Sequence, residues 1–114
     1  MTLFDSGAVN NYITTSAGRT LNSFRLHKPF MARIGGHRQR ITKACTFEGT
    51  IDGKPVLLQA MVIQSLGTDR KTKRSIDFLF GTMAMRQWGI ELDLKKDKLD
   101  LRRYSRGFTE YTSA

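Results

Sequence analysis

Two dipeptides constrain this chain more than any other feature. Gly35-Gly36 and Asp52-Gly53 each sit between runs of β-forming residues. Two-residue loops of this composition accept the positive φ that a tight hairpin turn demands, and their twist matches that of the strands they join. They therefore predict strands over Phe30–Ile34 and over residues 37–43 around Ile41. A second hairpin follows, from residues 44–51, with Cys45, Phe47, Gly49 and Ile51, into Val56–Ile63. The last run, Val-Leu-Leu-Gln-Ala-Met-Val-Ile, is continuous enough to predict a buried central strand or an interface strand. Pro29 disfavours a helix through Lys28. The middle of the chain is thus committed to antiparallel β-structure.

The flanks add to it. Thr2-Leu3-Phe4 reads as the end of a short strand, broken by Asp5-Ser6-Gly7. Residues 8–15 have no clean period, and Tyr12 and Ile13 are the expected core anchors. Residues 16–28 are weakly patterned, with Leu21, Phe24 and Leu26 the candidates for inward positions. Residues 64–75 form a polar, basic loop. Ile76-Asp77-Phe78-Leu79-Phe80 ends at Gly81. Thr82 is placed to cap a short helix over Met83–Trp88, with Met83, Ala84 and Trp88 on its apolar face and Gly89 ending it. Ile90–Leu94 alternate, as do Leu99–Leu101 after the Lys95-Lys96-Asp97-Lys98 turn, which predicts a hairpin with one wet face. The expected architecture is all-β with one short helix in its C-terminal half. Residues 1–103 form the domain, and 104–114 form a basic, then Ser/Thr-rich tail in which Tyr104, Phe108 and Tyr111 are candidates for an interfacial strand.

A length of 114 residues holds one domain with a modest core. The formal charge of +9 brings nucleic acid into consideration as a partner, although charge by itself speaks to solubility and non-specific binding rather than fold. Cys45 is the only cysteine, so no disulfide forms within the chain. No apolar run reaches membrane-spanning length. The N-terminus lacks the basic and apolar regions of a secretory signal. His27 and His37 come without an ordered set of ligand partners, so neither a metal site nor a cofactor is expected. Cys45, in a strand, reads as a buried thiol. Ser6 has no histidine near it in sequence to act as a base.

The chemistry centres on Asp5-Ser6-Gly7-Ala8, a loop at a strand end where glycine lets backbone pass close to a carboxylate. The stretch Leu3-Phe4-Asp5-Ser6-Gly7-Ala8-Val9-Asn10-Asn11-Tyr12-Ile13 resembles the catalytic loop of the retropepsin-like aspartic peptidases of retroviruses and long-terminal-repeat retrotransposons. A second element, Ile76–Gly81, resembles that family's apolar-apolar-Gly signature, and the helix, glycine and alternating hairpin follow it in the family's order. Gly35-Gly36 falls where the family carries its flap. The resemblance spans about residues 3–101. Three differences stand out: only four residues precede Asp5, Thr82 occupies a position that is Arg, Asn or Asp in many relatives, and the basic loop around Arg70–Arg74 is long.

The resemblance implies a retropepsin-like fold in which each chain is half of a twofold site. Asp5 from each of two chains would be catalytic, the pair sharing one proton and one water. Ser6 and Gly7 would support the loop, and Ala8, Gly35, Gly36, Leu79 and Phe80 would contact substrate. The implied enzyme is a homodimer that cuts extended peptide segments of a Gag-Pol-type polyprotein, in the cytoplasm or within virus-like particles. The short start implies a dimer weaker than one with full N-terminal strands. Two other readings are a non-catalytic binding or assembly domain of this fold, and a small basic β-domain that tracks nucleic acid through Lys95, Lys96, Lys98, Arg102, Arg103 and Arg106.

Overall fold

The structure, a computed structural model, describes residues 1–104. The expectations for Arg106, Phe108 and Tyr111 in the tail lie outside the described residues. Among the described residues eight strands and one helix follow in chain order: β1 (Thr2–Phe4), β2 (Tyr12–Thr14), β3 (Asn22–Ile34), β4 (His37–Ile51), β5 (Lys54–Ile63), β6 (Phe78–Phe80), α1 (Thr82–Trp88), β7 (Glu91–Asp93) and β8 (Lys98–Asp100). The first six form one sheet in the order β1-β6-β2-β5-β4-β3, and β7 and β8 form a separate hairpin.

Both predicted turns are present. Gly35 and Gly36 have φ of 59° and 82°, the pair of positive values that a type I′ hairpin requires. The hairpin they close is longer than the sequence pattern suggests. β3 begins at Asn22, inside the stretch read as weakly patterned, and β4 runs unbroken from His37 to Ile51. The ladder between them slips after Arg25 and resumes at Phe30, so a bulge absorbs residues 26–29. Pro29, which has no N–H to give a ladder, falls within it. Phe24, expected inside, is exposed because β3 is the sheet edge and covers nothing at that point.

β5 is central, parallel to β2 on one side and antiparallel to β4 on the other. Its continuous apolar run does not mean burial on both faces. Val56, Leu58, Ala60 and Ile63 are buried, whereas Leu57 is 54% exposed. Alternation divides the interior into two layers. Ile13, Phe78 and Phe80 point to a core shared with Cys45, Ala84, Met85 and Trp88 on the helix side. Their strand neighbours Tyr12 and Leu79 point the other way, to a smaller cluster with Ile41 and Ile63.

The helix matches the predicted place but not the predicted details. Its N-cap is Gly81, with no side-chain cap bond, so Thr82 is not the cap. Met83 is exposed and Met85 takes the buried position beside Ala84 and Trp88. Gly89 ends the helix as expected. Tyr104 lies against the body: its ring stacks on Trp88 with centroids 6.2 Å apart, and its hydroxyl donates to the Pro55 carbonyl. Among the described residues no helix is long and apolar enough to cross a membrane.

Candidate active site

Asp5 follows the last residue of β1. Its backbone N–H donates to the Phe80 carbonyl at 3.0 Å, which continues the parallel pairing of β1 with β6 by one more bond. The chain then turns. Gly7 N–H donates to Asp5 Oδ1 at 2.8 Å, and Ala8 N–H donates to the Asp5 carbonyl at 3.2 Å. A Cβ at Gly7 would stand 3.2 Å from Asp5 Oδ1, so a side chain there would crowd the carboxylate. Asp5 Oδ2 accepts no hydrogen bond from the described residues. The carboxylate is therefore oriented through one oxygen while the other stays uncommitted.

The loop is anchored from below by α1. Thr82 N–H donates to the Ala8 carbonyl at 2.8 Å and Met83 N–H to the Val9 carbonyl at 3.2 Å. The first-turn N–H groups, which a side-chain cap would usually satisfy, bond to the aspartate loop instead. Gly81 makes this possible. A Cβ there would lie 2.4 Å from the Asn10 carbonyl oxygen and 2.6 Å from that of Val9, both rigid backbone.

Asn11 is the residue that sequence reasoning missed. It is 7% exposed. Its Oδ1 accepts from Gly81 N–H at 2.8 Å, its Nδ2 donates to the Gln59 carbonyl at 3.0 Å, and its own carbonyl accepts from Met61 N–H at 3.0 Å. One amide thus joins the aspartate loop, the glycine before α1 and the central strand. The only hint in the sequence is a polar residue directly before the apolar pair Tyr12-Ile13, and that is too common to single out.

Above the loop stands the tip of the β3–β4 hairpin. Asp5, Gly7 and Ala8 share a cavity of about 470 Å³ with Arg33, Ile34 and Gly35 of the hairpin and with Leu79 of β6. Ala8 and Ile34 also pack on the cluster that contains Leu79 and Tyr12. Asp5, Gly7, Ala8, Gly35 and Leu79 are thus brought together. Gly36 is at the exposed tip but does not line the cavity. Ser6 is exposed and faces a different depression, beside Thr82 and Arg86. Phe80 is not at the cavity: it is 2% exposed, stacks on Phe4 and lies in the helix-side core. Adjacent strand residues point to opposite faces, so Leu79 and Phe80 cannot both reach one cleft.

Cys45 is fully buried, and desolvation pushes its thiol above the usual range against a weaker opposing bond from the Ala60 backbone. Among the described residues no group of three His, Cys, Asp or Glu side chains could hold a metal ion.

No protein-family model and no curated protein sequence matches the chain. The structure is similar to the crystal structure of the retroviral protease-like domain of Ddi1 from Leishmania major. The TM-score is 0.59 at 18% sequence identity, and the match covers 89% of this chain and 77% of that one. An aspartate loop braced by the glycine before a short helix, under a long glycine-tipped hairpin in an otherwise all-β chain, is thus built on a known frame: this protein has the retropepsin-like fold.

Proposed function

We propose that the chain is one half of an aspartic endopeptidase that acts as a homodimer on extended peptide segments of a polyprotein. The observation that carries this reading is the state of Asp5. Its carboxylate is held through Oδ1 by Gly7, its Oδ2 is uncommitted, and it faces a cavity roofed by a hairpin tip. One chain supplies one such aspartate, and peptide hydrolysis by this route needs two, so a twofold pair completes the site.

In the paired site the two Asp5 carboxylates share a proton, because like charges at short range cannot both ionise. The ionised partner takes a proton from a water as the water oxygen attacks the scissile carbonyl carbon. The protonated partner gives its proton to the carbonyl oxygen. The resulting tetrahedral diol collapses as the C–N bond breaks, with a proton passing to the departing amine. Ser6, exposed beside the aspartate, is available to brace the partner loop. Ala8 and Leu79 offer apolar wall to the peptide, and Gly35 and Gly36 give the hairpin tip freedom to close.

The test is turnover of a peptide library by the purified chain and by Asp5→Asn, with sedimentation equilibrium on the same samples. Activity should rise faster than linearly with concentration where dimers form, and Asp5→Asn should abolish it with unchanged circular dichroism. Turnover by Asp5→Asn at the unsubstituted rate, or by a strict monomer, would remove the proposal.

A further inference from the structure

The β3–β4 hairpin carries a second feature that peptide cleavage does not use. From Ser6 to Phe47 the sequence contains no Asp or Glu, while Arg25, Lys28, Arg33, Arg38, Arg40 and Lys43 all fall on this hairpin. All six are exposed, and none forms an ion pair with a described residue. The ladder sets Arg33 directly opposite Arg38, and Arg25 directly opposite Lys43. Like charges at directly opposed positions destabilise a strand pair. The fold tolerates this twice on one hairpin, with no described carboxylate paired to any of the four.

The cations nearest the tip are also sorted by face. Residues directly opposite in an antiparallel ladder project to the same side, as do those two steps along. Arg33, Arg38, Met31 and Arg40 therefore share the outer face. Ala32, Ile34 and Ile41 share the inner face, which packs toward Tyr12 and Leu79. Along β4 the two outer-face cations, Arg38 and Arg40, stand about 7 Å apart at the usual strand rise of about 3.3 Å per residue, and Arg33 faces Arg38 across the ladder.

We infer that the outer face of the β3–β4 hairpin is a docking ridge for single-stranded nucleic acid, with Arg33, Arg38 and Arg40 at its centre. A line of cations fits a line of phosphates. Four of the six are arginines, whose planar guanidinium pairs with phosphate oxygens and also stacks on ring faces. Met31, 49% exposed, lies among them, and Phe24, 46% exposed, adjoins Arg25 on the edge strand. Apolar surface interleaved with cations is what base stacking beside a tracked backbone requires. An acidic peptide would dock most readily by adding a strand to the β3 edge. The bulge over residues 26–29, with Pro29 in it, interrupts that edge. Of the cations around the β7–β8 hairpin, Arg102 pairs with Asp100 and Arg103 with Glu91. Arg33 borders the Asp5 cavity as well, whereas Arg38 and Arg40 do not line it, so the two residues that carry the test lie apart from the Asp5 chemistry.

The test uses the full chain and a fluorescein-labelled oligo-uridylate, read by anisotropy across a salt series from low to high NaCl. Binding should weaken steeply with salt. Arg38→Glu/Arg40→Glu should lower affinity at least about tenfold and flatten the salt dependence. The charge-matched Lys95→Glu/Lys96→Glu should change affinity far less. The melting temperature of Arg38→Glu/Arg40→Glu should hold or rise, because a carboxylate at position 38 would face Arg33. Absence of salt-dependent binding, equal losses in both variants, equal competition by poly-glutamate, or a fall in the hairpin variant's melting temperature would each overturn the inference.

Discussion

The Asn11 side chain accepts a hydrogen bond from the Gly81 backbone at 2.8 Å, across seventy residues of sequence, and neither group is exposed to water. Gly81 in turn lies so close to the Asn10 carbonyl that only a hydrogen fits between. The aspartate loop and the helix start are thus held as one unit. The position of Asp5 therefore rests on Asn11 and Gly81, which do not touch it, as well as on its direct bonds to Gly7 and Phe80.

Asn11→Ala should leave the buried Gly81 N–H without a partner, at a cost of about 1–3 kcal/mol, and the part-buried Gln59 carbonyl without its amide donor at a smaller cost. Asn11→Asp should be no better. A carboxylate can still accept from Gly81 but would face the Gln59 carbonyl with like polarity. Urea unfolding of both variants checks this. An Asn11→Asp protein as stable as the parent at neutral pH would show that the amide donor is not needed.

Gly81→Ala should be more damaging than its single methyl suggests. The added carbon would meet two backbone oxygens at 2.4 and 2.6 Å, and no rotamer change relieves a clash with main chain. Overpacking of this kind costs about 1–3 kcal/mol and sometimes more. The expected result is a lowered melting temperature. Where the variant remains folded, peptide turnover should also be lost, because the clash pushes against the Val9 and Asn10 segment that carries Asp5.

Leu79 and Phe80 should separate cleanly in their effects, since they sit on opposite faces of β6. Phe80→Ala should cost about 3–5 kcal/mol of stability, as expected for a large core aromatic. Leu79→Val should cost only about 1 kcal/mol, yet alter KM for peptides with large apolar residues next to the cut, because Leu79 lines the Asp5 cavity. Chemical denaturation paired with peptide kinetics measures both. Equal changes in KM from Leu79→Val and from a conservative Phe80→Leu would contradict the assignment of faces.

Cys45 should resist alkylation in the native state. It is fully buried, and its thiol titrates above the usual range because burial penalises the thiolate, which is the reactive form. Iodoacetamide labelling at mildly alkaline pH, followed by mass spectrometry, should be slow without denaturant. It should become rapid through the unfolding transition, tracking loss of the fold. Fast labelling of the folded chain would mean that the β4–β5 layer opens locally.

The sequence alone determined the local geometry of this protein. Gly35-Gly36 and Asp52-Gly53 fixed two hairpins because backbone sterics at a tight turn exclude most other residues. Alternation fixed the β7–β8 hairpin, and the order of motifs around Asp5 and Gly81 pointed to the retropepsin-like fold. The hairpins are short-range consequences of φ, ψ and side-chain period, readable a few residues at a time, whereas the fold was implied by the resemblance of those motifs to a known family. The tertiary structure alone decided which face of each strand was covered. It left Leu57 and Phe24 in solvent, turned Phe80 into the core and Leu79 toward the cavity, and replaced the expected Thr82 cap with carbonyls of the aspartate loop. It also gave Asn11 its partners and set Arg33 opposite Arg38. Each of these depends on which distant segment arrives as a neighbour, and a linear pattern carries no distance between residues 11 and 81.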